Sequence, residues 1–273
     1  MYKEYYHFKE NPFSITADPD FFFSSKRHNE AFSHLIYGIK QRKGIVVITG
    51  EIGTGKTTLC RTLLNRLDAN IKTAFILNPD FSDLQLLQLI LRDLGIKTNS
   101  KNKFDLINTL NEFLIQETTL GNNVVLIIDE AQNLGVRQLE QVRLLSNLET
   151  EKEKLLQIIL IGQPELTDKL KLTELRQLNQ RVAVRYHIMP LDGDEVREYI
   201  QHRVEIGQDD DADYPSLLNF TNEAIEAIFD ISGGTPRMIN IICDRALLAG
   251  YTLDTYTIDH HIIHKCAQEV GQK

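Results

Sequence analysis

The chain has 273 residues, room for two cores at about 150 residues per domain, and its 42% hydrophobic content is that of a soluble globular protein. No apolar run approaches the roughly 18 residues of a membrane-spanning helix, and residues 1–7 lack the apolar centre of a signal peptide. Cys60, Cys243 and Cys266 are far apart, which argues against a disulfide framework or thiolate zinc site and for a reducing cytoplasm, while the net charge of −8 leaves nucleic-acid binding only a local basic patch to work with.

Residues 1–29 are aromatic and turn-rich, with Phe8, Asn11-Pro12-Phe13, Asp18-Pro19-Asp20 and Phe21-Phe22-Phe23. Left exposed, such a segment invites aggregation, so it is expected to lie across the domain that follows, beside a bound base or simply as packing. Asn29 is placed to cap a helix over residues 30–42, with Ala31, Leu35, Ile36 and Ile39 on one face.

A β-branched run over residues 44–49 then enters the turn Gly50-Glu51-Ile52-Gly53-Thr54-Gly55-Lys56-Thr57-Thr58, which opens a helix reaching about residue 67. Gly50, Gly55, Lys56 and Thr57 have the P-loop spacing G-x-x-x-x-G-K-[ST]. A buried strand aims such a turn, glycines let backbone N–H groups close on phosphate oxygens, and the helix dipole adds to the field. Lys56 would reach the β- and γ-phosphates of ATP, and Thr57 would ligate Mg²⁺.

A second strand is predicted over residues 73–78 and stops at Pro79, followed by helices over 82–94 and 104–116. Phe104 is assigned to the core face of the latter helix by its spacing with Ile107, Leu110 and Leu114. Residues 124–128 form a continuous apolar run ending in Asp129-Glu130, which reads as a strand buried on both faces with acids at its C-terminal edge. Downstream of a P-loop this is a Walker B element: Asp129 would hold Mg²⁺, and Glu130 would take a proton from, or orient, the attacking water.

Helix 136–150 follows, then a fourth strand over 157–162 with Gln163 at its C-terminal end, a helix over 166–181 carrying Arg176 and Arg181, and a fifth strand over 183–189 stopped by Pro190. Alternating strands and helices predict an α/β fold with a mostly parallel sheet and helices on both faces. After Pro190 the strand signal stops, and helices are predicted over 195–206, 222–231, 236–251 and 257–270, with an acidic solvated loop over 208–213. This divides the chain into an α/β domain at 1–190 and a small helical lid at 191–273. Thr235 caps the third lid helix, Pro236 starts it, and Arg237 sits in its first turn. A positive charge there opposes the helix dipole, which suggests that the arginine is held for an anion.

A P-loop α/β core followed by a helical lid resembles the AAA+ ATPases. Asn11-Pro12-Phe13, the 50–58 turn, Ile128 through Gln132, Gly162-Gln163-Pro164-Glu165-Leu166, Leu175-Arg176-Gln177-Leu178 and the 232–237 stretch resemble one branch, the ExeA/GspA-type ATPases of the general secretion pathway and their type IV pilus relatives. The resemblance places Gln163 at the sensor 1 position, Arg237 at the lid arginine, Asn78 at the residue that restrains the catalytic glutamate, and Arg181 or Arg176 at the arginine finger of a neighbouring subunit. It thereby implies an ATP-dependent oligomer that hydrolyses ATP with Mg²⁺ and drives or times assembly of a secretion or pilus complex, cytoplasmic and tied to the inner membrane through partners.

Longer members of the branch continue into a membrane span and a peptidoglycan-binding domain that this sequence lacks, so it is expected to be either an ATPase domain or a stand-alone relative. The branch also resembles TniB/TnsC-type transposition ATPases that assemble on DNA; a nucleotide-gated scaffold with little turnover is a third reading. The acidic balance and dispersed lysines (Lys97, Lys101 and Lys103; Lys169 and Lys171) argue against nucleic acid as the partner.

Overall fold

The computed structural model describes residues 1–77, 79, 81–151, 153–209, 217–269 and 271. In chain order the regular elements are α1 (Tyr2–Tyr5), α2 (Lys26–Lys40), β1 (Ile45–Gly50), α3 (Lys56–Arg66), β2 (Ile71–Ile76), α4 (Asp83–Asp93), α5 (Lys103–Thr119), β3 (Asn123–Ile128), α6 (Val136–Leu145), β4 (Leu156–Gly162), α7 (Pro164–Leu170), α8 (Arg176–Gln180), β5 (Val182–Ile188), α9 (Gly193–Gly207), β6 (Asn219–Phe220), α10 (Asn222–Ser232), α11 (Pro236–Thr252), β7 (Thr257–Ile258) and α12 (His260–Glu269). They group into two compact units. One holds Lys26–Ile52 and Thr62–Ile188, and the other Met1–Ser25, Gly53–Arg61 and Met189–Lys273.

The first unit is α/β. Its five strands are all parallel, in the order β2-β3-β4-β1-β5. Strands β1, β3 and β4 are buried along their whole length, which is why they read as continuous Val/Ile/Leu runs rather than alternating ones. The edge strand β5 is only partly covered until Ile188. Register pairs Thr49 with Gly162 and Ile128 with Leu160, so β1, β3 and β4 end close together and Gly50, Asp129 and Gln163 lie at one edge of the sheet.

Helix α4 starts where Ser82 and Gln85 form a reciprocal capping box, and it buries Leu86, Leu87, Ile90 and Leu91. Helix α5 buries Leu106, Leu110 and Leu114 at helical spacing. Phe104, expected in that core, is instead 69% exposed: it lies at the very start of the helix, off the 106-110-114 stripe. The single helix expected over 166–181 is broken in two, with a 3-10 turn at Thr173–Leu175 between α7 and α8. The break lets Leu175 and Leu178 reach the same core as Leu166 and Leu170.

The second unit is mainly helical, built from α9 to α12 with α1. It also holds a two-residue parallel pair, β6 beside β7, too short to register as a strand signal in the sequence. Asp192 and Glu195 form a capping box that starts α9. Gly234, at φ +72°, accepts the Leu191 N–H at 2.9 Å; a Cβ there would meet the Leu191 carbonyl oxygen at 1.9 Å, so only glycine fits.

Residues 1–25, read from the sequence with the α/β part, group here instead. Tyr6, Phe8 and Phe13 are buried among Val196, Ile228, Ile239 and their neighbours. The Arg203 side chain donates to the carbonyls of Pro12 and Ser14 and lies 4.3 Å over the Phe21 ring. Aromatic burial and satisfaction of loop carbonyls thus tie this segment to the helices. Among the described residues, no helix is long and apolar enough to cross a membrane.

Candidate functional site

Two groups of the sequence-predicted residues are described, one in each unit. In the α/β unit, β3 delivers Asp129 and Glu130 to the C-terminal edge of the sheet. Asp129 continues the strand pairing by donating its N–H to the Ile76 carbonyl at 2.9 Å, and its side chain is 1% exposed. One carboxylate oxygen of Asp129 accepts the Glu130 N–H at 2.9 Å. Glu130 itself sits at φ 53°, a left-handed conformation unusual for a residue with a side chain, and leads into a short 3-10 turn at Ala131–Asn133.

That turn brings Gln132 back toward Glu130. Gln132 Nε2 donates to Glu130 Oε2 at 2.5 Å, and Gln163 Nε2 donates to the same oxygen at 3.2 Å. Gln132 Oε1 accepts the Gln163 backbone N–H at 3.0 Å. Lys169, on α7, donates to the carbonyls of Gln132 and Leu134 at 2.5 and 2.8 Å, holding the turn in place. Asp129, Glu130 and Gln163 are therefore brought together as expected from strand ends on one edge. Gln132 and Lys169 were not singled out as site residues. A glutamine two positions after Glu130, in an irregular turn, has no periodic signal, and Lys169 stands in the sequence only as one of the dispersed lysines.

The other unit carries the glycine turn from Gly53 onward. Gly53 and Gly55 have φ of +82° and +89°. Thr54 and Lys56 are buried, Thr57 and Thr58 are part-exposed, and Leu59 N–H closes the first helical bond onto the Gly55 carbonyl at 2.9 Å. The Gly53 carbonyl accepts the Arg237 N–H at 3.2 Å, so a first-turn donor of α11 meets the turn. A Cβ on Gly53 would lie 2.6 Å from Arg237 Cβ and 3.2 Å from Thr235 Cγ2, in addition to its forbidding φ. Pro236 starts α11 as expected, but Thr235 caps it without a side-chain hydrogen bond, and the Arg237 side chain is exposed. A glycine-rich turn of this kind at a helix start is suited to phosphate, and the buried carboxylate of Asp129 is suited to a hard cation such as Mg²⁺.

Of the remaining predicted residues, Gly50 ends β1, and Glu51 and Ile52 follow it exposed. Arg176 opens α8 and Arg181 closes it; both are exposed and neither donates to Asp129, Glu130 or Gln163. Hydrogen bonding from Lys154 holds the Glu149 carboxyl below its ordinary value, with a smaller contribution from the Arg181 charge. Asn78 lies outside the described residues.

Residues 39–170 match the AAA domain family. General secretion pathway protein A of Aeromonas hydrophila is 41% identical over 279 residues, covering 99% of this chain and 49% of that protein. This chain is an AAA-domain relative of General secretion pathway protein A. It spans about half the length of that relative. The AAA fold extends to proteins of little sequence likeness. The Aeropyrum pernix ORC2 protein, in its ADPNP–ADP complexes, matches 96% of this chain and 72% of its own at a TM-score of 0.70 and 16% identity. Drosophila ORC bound to DNA matches 100% of this chain and 65% of its own at 0.68 and 19% identity.

Proposed function

We propose that this chain is an ATPase that binds ATP with Mg²⁺ and uses its hydrolysis to drive or time assembly of a secretion or pilus complex. The observation that carries the chemistry is Glu130, a carboxylate held at the sheet edge directly after the buried Asp129. In this reading Lys56 and the N–H groups of the 50–58 turn hold the phosphates, and Arg237 adds charge from the lid. Thr57 and Asp129 hold Mg²⁺, which when bound would neutralise charge developing on the phosphates. Glu130 accepts the proton of the attacking water, and Gln163 orients the reacting end. The second unit serves as the lid, and Arg181 or Arg176, both exposed, is offered to a neighbouring subunit in an ATP-dependent oligomer.

The secretion or pilus role is supported by the kinship over nearly the whole chain with General secretion pathway protein A. Against a nucleic-acid partner stands the use of three of the five named lysines within the fold. Lys169 holds backbone carbonyls, Lys103 pairs with Asp83, and Lys171 pairs with Asp168. Lys56→Ala should lose ATP affinity, because a charge-assisted phosphate contact is gone. Glu130→Gln should keep affinity and lose on the order of 10²- to 10⁴-fold in turnover, the usual effect of removing a general base. Nucleotide binding and phosphate release measure the two. Unchanged turnover in Glu130→Gln would end the assignment, and turnover raised by duplex DNA but not by membranes or peptidoglycan would replace the secretion role.

A further inference from the structure

Glu130 is held asymmetrically. Its Oε2 accepts two amide protons, from Gln132 and from Gln163, whereas its Oε1 accepts none among the described residues. A carboxylate with one oxygen anchored and the other open is a base whose proton-accepting atom is already aimed. The anchor is braced at every joint. Gln132 cannot rotate without giving up the Gln163 N–H that its own oxygen accepts, and Lys169 fixes the backbone on either side of Asn133. Gly162 is the residue that makes room: a Cβ there would lie 2.8 Å from Gln132 Oε1 and 3.3 Å from the Gln132 nitrogen. The left-handed backbone of Glu130 is what lets its side chain meet a glutamine only two residues on.

We propose that Gln132 is a positioning residue for hydrolysis: together with Gln163 it pins Oε2 of Glu130, leaving Oε1 to take the proton from water, and it ties that geometry to the end of β4. The inference rests on the reading of Glu130 as the base. It assigns a role to a side chain that neither the P-loop spacing nor the acidic pair points to. It also makes Gly162 part of the same device, since any side chain there would push the Gln132 amide off its partners.

The test is Gln132→Leu, which keeps the approximate volume and removes both hydrogen bonds. Turnover should fall about 10- to 100-fold, the scale expected when a catalytic group is displaced by about an ångström. ATP and ADP affinity should stay within about threefold, since no phosphate contact is touched. Amide exchange at Gln163 should speed up in the nucleotide-free protein while the amides of Ile159 and Ile161 stay protected, a readout independent of hydrolysis. Gly162→Ala should reproduce the loss of turnover and the faster Gln163 exchange without altering any polar side chain, and it serves in place of Gln132→Leu should that variant fail to fold.

The deciding comparison is made in single turnover with Glu130→Gln. There Gln132→Leu should have no further effect, because the group it positions is already gone. Wild-type turnover in both Gln132→Leu and Gly162→Ala, or an undiminished loss in the Glu130→Gln background, overturns the proposal. Failure of the base reading looks different: Glu130→Gln itself then turns over normally.

Discussion

The α/β unit and the helical unit each have a core of their own, and the two cores differ in chemistry. Every buried residue of the α/β core cluster is aliphatic, from Ile45 on β1 to Leu178 on α8. The helical core instead includes Tyr6, Phe8, Phe13 and Tyr199, and its tyrosines carry hydroxyls that need partners. Tyr6 finds the Thr255 carbonyl at 3.0 Å and Tyr199 finds Asn240 at 2.8 Å, while Tyr2 bonds to Asp244. In the α/β unit, core positions come from strands and helices that follow one another along the chain. In the helical unit, part of the core is brought from the other end of the sequence. An aliphatic core assembled from consecutive βα units tolerates local error, whereas one closed by a distant aromatic strap depends on that strap arriving and on its polar atoms being satisfied.

The comparison is broken most severely by removing the strap. A chain beginning at Lys26 loses the burial of Tyr6, Phe8 and Phe13, at about 1.5–3 kcal/mol for each large side chain, a total comparable to the roughly 5–15 kcal/mol stability of a whole domain. It should lose helical circular dichroism and bind a hydrophobic dye; an unchanged melting temperature would show that the strap is decoration.

A gentler break sets one substitution in each core against the other. Leu126→Ala, in the middle of β3, should cost about 2–5 kcal/mol and leave residues 1–25 resistant to protease. Arg203→Leu should cost on the order of 3 kcal/mol, because two charge-assisted hydrogen bonds go and the carbonyls of Pro12 and Ser14 are stranded. Cleavage within residues 1–25 should then precede global unfolding. Equal protease patterns in the two variants would remove the distinction between the cores.

The smallest effect is one of pH. Burial, with a smaller push from the Arg203 charge, holds the His202 imidazole below its ordinary value of about 6.5, against an opposing bond from the Phe22 backbone. The folded state therefore favours the neutral ring. The stability it contributes is complete above the unfolded value and is lost as pH falls through the folded one. The melting temperature should drop between pH 7.5 and 5 by more in the wild type than in His202→Gln; parallel curves would clear His202 of any part in it.

What could be read from the sequence followed from features that depend on near neighbours. The P-loop spacing, the apolar runs of β1, β3 and β4, and acids at the end of one of them are local, and a strand buried on both faces has no choice but to be apolar throughout. Parallel pairing then places Gly50, Asp129 and Gln163 on one edge. The exposed Phe104 failed the same kind of reading because the stripes 104-107-110-114 and 106-110-114 both have helical spacing, and packing chose the second. Tertiary structure alone decided which core took residues 1–25, since an aromatic segment is equally at home against any apolar surface. It alone decided the pairing of β6 with β7, two residues long and 38 positions apart at their first register pair, Asn219 with Thr257. It also decided the hold of Gln132 and Gln163 on one oxygen of Glu130, because a side-chain hydrogen bond across 33 residues leaves no spacing to read.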